Sequence, residues 1–145
     1  MKILMASDHA GFKLKKAVEK HLIEKGYEVV DLGCDSPERA NYASYGLKLG
    51  KEMSEGAAPF GVLVCGSGIG ISIAANRFKG VRAARVFDVE DAKLTRQHND
   101  ANVISLGERM IDEALAIEMV DAFLAEPFEG GRHQERVETL DKCCK

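Results

Sequence analysis

Short apolar runs alternate with longer amphipathic stretches along this chain, five times over. Lys2 to Ala6 (KILMA) is compact and apolar, a candidate buried strand. From Phe12 to Lys25 the apolar residues Phe12, Leu14, Ala17, Val18, Leu22 and Ile23 recur at helical spacing. Lysines and glutamates fill the other face, and Gly26 is placed to stop the helix. Tyr27 to Leu32 (YEVVDL) predicts a second strand, and Gly33 to Ala40 a loop with Asp35, Ser36 and Pro37 as turn residues. Tyr42 to Met53 predicts a helix and Gly61 to Val64 a short strand. Ile71 to Phe78 then predicts a helix, Val81 to Val86 a fourth strand, and Asp88 to Gln97 a helix with Asp88 as N-cap. Asn102 to Leu106 predicts the fifth strand and Ile111 to Leu124 a strongly amphipathic last helix. Pro127 to Arg132 leads through a Glu-Gly-Gly turn into a basic tail.

Strands alternating with helices predict a parallel sheet covered on both faces and joined by right-handed crossovers. The strand-like runs lack period-2 alternation, as strands buried on both sides do. The expected fold is α/β, a three-layer α/β/α Rossmann-like sandwich on a five-stranded parallel sheet. No internal repeat, low-complexity segment or linker divides the sequence, so residues 1–145 are expected to form one domain.

Composition changes this picture little. A domain of 145 residues buries roughly 70% of the surface its unfolded chain exposes, so folding requires neither disulfides nor metal. A net charge of −3 argues against a nucleic-acid-binding surface. No apolar run approaches the ~20 residues of a membrane span, and no signal peptide is expected. The cysteines, Cys34, Cys65, Cys143 and Cys144, show neither CxxC nor zinc spacing. A reduced, cytoplasmic protein is expected. No metal and no cofactor are expected, since histidines and carboxylates do not recur at ligand spacing.

The chemistry concentrates in GVLVCGSGIG, Gly61 to Gly70. Cys65 stands where the strand should end, and Gly66, Gly68 and Gly70 lead into a helix. Glycine admits close backbone approach, and a helix N-terminus offers unpaired N–H groups to negative charge or to a thiolate. The loop matches neither G-x-G-x-x-G nor a nucleotide P-loop. It is either a plain strand-to-helix turn or a nest for an oxyanion or phosphate. Cys65 is either inert packing or a base or nucleophile.

Ligands of parallel sheets bind at the carboxyl ends of the strands. That end gathers Asp8 and His9 after strand one, Cys65 and its loop after strand three, and Arg109 after strand five. Asp8 is equally a helix N-cap. His98, Asn99 and Asp100 form a polar loop on the opposite edge, either plain connection or acid–base machinery. Either that loop travels or its residues reach the site of another subunit, and the second is expected. His21 reads as a surface residue. Arg132 and Arg136 are four apart and share a helix face, as a solvated tail or as a phosphate clamp. A thiol, an oxyanion nest, a histidine and several arginines suit proton transfer beside the carbonyl of a small phosphorylated metabolite.

SDHAG (7–11), CGSGIG (65–70), ISIAANRFKGVRA (71–83), RQHNDANV (96–103), LGER (106–109) and FEGGRHQERV (128–137) closely resemble the sugar-phosphate isomerases. That family comprises ribose-5-phosphate isomerases of type B and galactose-6-phosphate isomerase subunits. The resemblance implies a metal-independent aldose–ketose isomerase that interconverts ribose 5-phosphate and ribulose 5-phosphate through a cis-enediolate. It implies that Cys65 moves the proton between carbons 1 and 2. Gly66, Ser67, Gly68, Ile69 and Gly70 would hold the enediolate oxygen, and His98 would open the furanose ring. Asp8 would touch sugar hydroxyls, and His9, Arg132 and Arg136 would hold the phosphate. Arg109, Asn99 and Tyr42 would complete the site. The family shares its sites between subunits, so a homodimer or dimer of dimers is implied, with the tail from about residue 127 packed on a partner.

Some relatives carry a carboxylate on the helix after the glycine loop in place of the cysteine. Here Cys65 is present and the early helix has no acid. The loop after strand two commonly reads Asp-Tyr-Pro-His, whereas this chain has Asn41-Tyr42-Ala43-Ser44. That departure bears on substrate range. The alternatives are isomerisation of a hexose 6-phosphate of allose or galactose type, and a non-catalytic sugar-phosphate-binding protein.

Overall fold

The computed structural model describes residues 1–143. Five parallel strands form one sheet in the order β2-β1-β3-β5-β4. They are β1 (Lys2–Ser7), β2 (Glu28–Asp31), β3 (Phe60–Cys65), β4 (Ala83–Arg85) and β5 (Val103–Gly107). The helices are α1 (Phe12–Glu24), α2 (Tyr42–Ser54), α3 (Ile69–Ala75), α4 (Val89–Asn99), α5 (Glu113–Ala125) and α6 (Arg132–Cys143). Chain order reverses direction across the sheet between β1 and β3, the switch point where such folds open a crevice.

Two cores explain why the strands show no polar face. Val62 and Val64 of β3 turn to one side, against α1, α4 and α5 through Leu14, Val18, Ala92, Met119 and Phe123. Leu63 and Cys65 turn to the other, against Leu49 and Met53 of α2 and Ile71 and Ala75 of α3. Side chains alternate across a strand, so a strand with an apolar layer on each face has no position left for water. Truncating Leu63 or Ile104, both fully buried, costs about 2–5 kcal/mol on this basis.

The pairing of α2 with α3 is unusually close. A Cβ at Gly46 would lie 2.7 Å from the Cβ of Ala74 and from the Ile71 carbonyl, and one at Gly50 would lie 2.8 Å from the Ala75 carbonyl. Two glycines one turn apart on α2 therefore let α3 seat against it, and α3 begins at the glycine loop.

Four local expectations change. Lys15 is not on the solvent face of α1 but fully buried. Its ammonium meets Asp31 Oδ1 at 2.9 Å and the Cys34 carbonyl at 2.5 Å, which compensates the loss of water. Burial opposes ionisation of Asp31, yet hydrogen bonds from Lys16, Lys15 and the Gly33 N–H hold its carboxyl below the usual range. His21 is paired with Asp121 at 2.9 Å, joining α1 to α5. His98 and Asn99 are not loop but the last residues of α4, whose end is fixed by Asp100 at φ 47°. The basic tail is a helix, α6, packed on its own chain through buried His133 and Val137. Cys143 is the last residue of α6 described, and Cys144 lies outside the described residues. No described helix is long and apolar enough to cross a membrane.

Candidate active site

β3 ends at Cys65, which pairs in register with Gly107 of β5, while Val64 pairs with Ser7 of β1. The thiol is thus centred between the exits of three strands. Its side chain is 4% exposed, and its sulfur accepts the Gly68 N–H at 3.1 Å. That approach requires the chain to turn back at once. Gly68 does so at φ 79°, a left-handed conformation natural to glycine, and serves as the N-cap of α3. The Ser67 hydroxyl accepts the Ile69 N–H at 3.1 Å. The amides of Gly70 and Ile71 belong to the first helical turn, which has no carbonyl of its own to meet them.

The loop is held from outside. The fully buried Ser105 hydroxyl donates to the Gly68 carbonyl at 2.6 Å. Arg85 Nε donates to the Ser67 carbonyl at 2.9 Å, and the Arg109 N–H to the Gly66 carbonyl at 3.1 Å. Three successive carbonyls of the turn, those of Gly66, Ser67 and Gly68, are therefore engaged. The Arg109 guanidinium lies over Gly66, 3.1 Å from where a Cβ would stand. The Tyr42 ring lies over Gly70 so closely that a side chain there would collide with it.

Asp8 caps the turn after β1 by accepting the Gly11 N–H at 3.0 Å and is 7% exposed. His9 Nδ1 sits 3.0 Å from the Ala40 N–H and 3.1 Å from its carbonyl, so the loop after β2 fixes the ring and leaves Nε2 for a ligand.

Asp8, His9, Tyr42, Cys65, Gly66, Ser67, Ile69, Gly70 and Arg109 line one cleft of about 750 Å³, joined by Ala10, Ile73 and Met110. Gly68 stands behind them, against Leu106 and Gly107. A second cavity of about 420 Å³ lies between β4 and α6, lined by Arg82, Asn99, Leu140 and Asp141 among others. It contains neither Cys65 nor the glycine turn.

His98, Asn99, Arg132 and Arg136 are absent from the Cys65 cleft. The cause is topological. α4 returns the chain to the end of the sheet from which β5 starts, and Cys65 is at the other end. His98 there stacks on His133 of α6, with ring centroids 4.5 Å apart at 15°. Arg132 and Arg136 are exposed on α6, on either side of buried His133. Burial, then His98 and Arg132, push the His133 imidazole below its ordinary pKa, with Glu129 opposing. Arg96 anchors this corner. Its guanidinium donates to Asp100 and to the Ala101 carbonyl at 2.8 Å each and lies over the rings of Phe60 and Phe123.

Sequence reasoning passed over Ser105, Arg85, Arg96 and His133. Two of them lie inside quoted motifs, Arg96 in RQHNDANV and His133 in GGRHQER, but their partners are distant in sequence or unremarkable in type. Glu129 and His133 are themselves four apart, a ligand spacing that the expectation of no metal overlooked.

Known proteins share this arrangement along nearly the whole chain. The model of a family described as Ribose/Galactose Isomerase matches residues 3–140. Ribose-5-phosphate isomerase B of Escherichia coli is 46% identical over 139 residues, covering 96% of this chain and 93% of its own. The structure of Clostridium thermocellum ribose-5-phosphate isomerase B superposes with a TM-score of 0.97 at 42% identity, covering 99% of this chain and 97% of that one. The Mycoplasma genitalium ribose-5-phosphate isomerase B, solved with bound ribulose 5-phosphate, gives 0.94 at 39% identity, covering 98% and 95%. With the family model matching residues 3–140, this chain belongs to the ribose/galactose isomerase family.

Proposed function

We propose that this chain is an aldose–ketose isomerase that interconverts ribose 5-phosphate and ribulose 5-phosphate, with Cys65 as the base. The observation that carries the reading is the buried Cys65 sulfur set 3.1 Å from the N–H of a glycine turn whose carbonyls are tied away from it. The Cys65 thiolate takes the proton from carbon 2 of the open-chain aldose. The electron pair moves into a carbon 1–carbon 2 double bond, and charge gathers on the oxygens of a cis-enediolate. The free amides of the turn and the Ser67 hydroxyl face that charge without reorganising. The thiol then returns the proton to carbon 1, and the hydroxyl proton passes from one oxygen to the other, so the sum is an isomerisation with no redox partner. Asp8 binds sugar hydroxyls, Tyr42 bounds the cleft over Gly70, and His9 and Arg109 stand at its rim.

The remaining groups come from a second copy. His98 would open the furanose ring, Arg132 and Arg136 would clamp the phosphate with His9, and Asn99 would complete the site. None of the four lines its own chain's cleft. The cleft mouth supports the same reading, because Ile69, Ile73, Met110 and Tyr42 leave 45–59% of their area exposed there. Clustered apolar exposure of that kind marks a surface that another chain covers. In a homodimer each site would combine the Cys65 cleft of one copy with the α4–α6 corner of the other.

Mixing two inactive variants tests both halves. Cys65→Ala and His98→Ala, unfolded and refolded together, should regain about a quarter of wild-type turnover, because half the dimers are mixed and each has one intact site. No recovery would place both groups in the site of a single chain. A six-carbon substrate is the second reading. A hollow of about 600 Å³ lined by Asp8, His9, Arg39, Ala40, Asn41 and Tyr42 adjoins the cleft, at the loop where Asn41, Ala43 and Ser44 depart from the common pattern. Comparing kcat/KM for ribose, allose and galactose phosphates decides it. Solvent deuterium appearing in ribose 5-phosphate at carbon 2 separates either enzyme from a binding protein.

A further inference from the structure

The α4–α6 corner holds a donor set of which the proposed isomerisation uses only His98. His98, Glu129 and His133 each present one ligand atom, and these atoms all lie within 4.8 Å of one another. His133 Nε2 is already 3.6 Å from Glu129 Oε1, close to the ~3.4 Å that two ligands of a tetrahedral zinc-class ion subtend at bonds of about 2.1 Å. Glu129, exposed, and His98, half-buried, need to move inward, and His98 must tilt out of its stack on His133 to share an ion with it.

The backbone beneath these groups is fixed. The Glu129 N–H donates to the Gln97 carbonyl at 3.1 Å, which pins Glu129 beside His98. Gly130 and Gly131, at φ 66° and 53°, then fold the chain so that Glu129 and His133 meet across four residues. Two segments about thirty residues apart are thereby locked at the distance that chelation needs.

We propose that His98, Glu129 and His133 form a binding site for a zinc-class divalent cation, with one coordination position open. Two imidazoles and one carboxylate select zinc, nickel or copper over magnesium or calcium, which require oxygen donors. Arg132 and Arg136 repel any cation here. Glu129 offsets one of those charges.

The consequence rests on the assignment of His98 to ring opening. A cation held by His98 removes that residue from the partner's site, so the ion would act as an inhibitor, and chelators would raise rather than abolish turnover.

Cobalt(II) is the probe for the full-length protein after chelator treatment. One equivalent should give visible d–d bands of tetrahedral type without a near-ultraviolet sulfur-to-cobalt band, and zinc should displace it. Glu129→Gln should weaken binding by more than the ~10–100-fold typical of an outer-shell partner, and His133→Asn should abolish it. No binding overturns the proposal. So does a sulfur-to-cobalt band that disappears in Cys65→Ala or Cys143→Ala. Glu129→Gln should keep its basal turnover and shift zinc inhibition to higher concentration by the same factor. Zinc bound at this site with turnover unchanged would overturn the inhibition and the role of His98 while leaving the site itself standing.

Discussion

The Cys65 cleft and the α4–α6 corner are built on opposite principles. The cleft is made from strand ends, and its thiol is held by backbone. β1, β3 and β5 converge on it in register, and the turn after Cys65 is tied down by Ser105, Arg85 and Arg109. The corner is made from helix ends, and its arginines project into solvent from α6. The first is rigid and self-contained, as stabilisation of a developing charge requires. The second is rigid in its backbone but offers its side chains outward, as a group delivered to another molecule should. On the proposed reading, a single chain carries two half-sites that cannot serve one another, since His98, Asn99, Arg132 and Arg136 do not line its Cys65 cleft.

The largest expected effect breaks the cleft alone. Cys65→Ala should lower kcat by at least about 10²–10⁴-fold while leaving thermal unfolding and phosphate affinity close to wild type. Retained turnover would remove the assigned base. Iodoacetamide should inactivate the wild-type protein, and substrate should slow it. Gly46→Ala reaches the cleft through packing. Its added Cβ meets Ala74 and the Ile71 carbonyl, so α2 and α3 must part, at a cost of about 1–3 kcal/mol in denaturant unfolding, with kcat falling alongside. Stability lost with kcat intact would mean that the turn does not depend on the α2–α3 contact. Ser105→Ala releases only the Gly68 carbonyl, and should cost about 0.5–1.5 kcal/mol with a loss in kcat rather than KM.

The smallest effect belongs to the corner. His133 binds its proton less readily folded than unfolded. Its contribution to stability is therefore complete above its unfolded pKa of about 6.5 and is lost as pH falls below that toward the depressed folded value. Denaturant midpoints at pH 7.5 and 5.5 should differ more for wild type than for His133→Asn. Equal differences would show that another group governs the acid side.

The sheet was legible because apolar runs between amphipathic helices leave few topologies, and Val62 to Cys65 already carried both core faces. The cleft was legible because glycine, cysteine and Asp-His stand at strand exits, where parallel sheets bind ligands. Lys15 was not, since its helical position is polar and only Asp31, at the end of β2, and Cys34, in the loop beyond it, justify burying an ammonium. Ser105 sits in an otherwise apolar strand, where its hydroxyl gives no local signal until Gly68 is placed against it. His133 is hidden between two arginines that draw attention to phosphate, and its stacking partner is 35 residues earlier in the chain. Local pattern reports what a residue does for its own element. It is silent where the partner arrives through the fold.

Gly130 and Gly131 give the corner a further property. At φ 66° and 53°, they lie in the left-handed backbone region that D-amino acids favour. Chirality, rather than size or charge, is then what makes an L-residue costly at this joint. A chain assembled by ligation with D-alanine at position 130 or 131 should fold as before. It should unfold about 0.4–1 kcal/mol less readily, because the freedom that glycine lends the unfolded chain is gone. The helix bearing both arginines is hung on a mirror-image hinge.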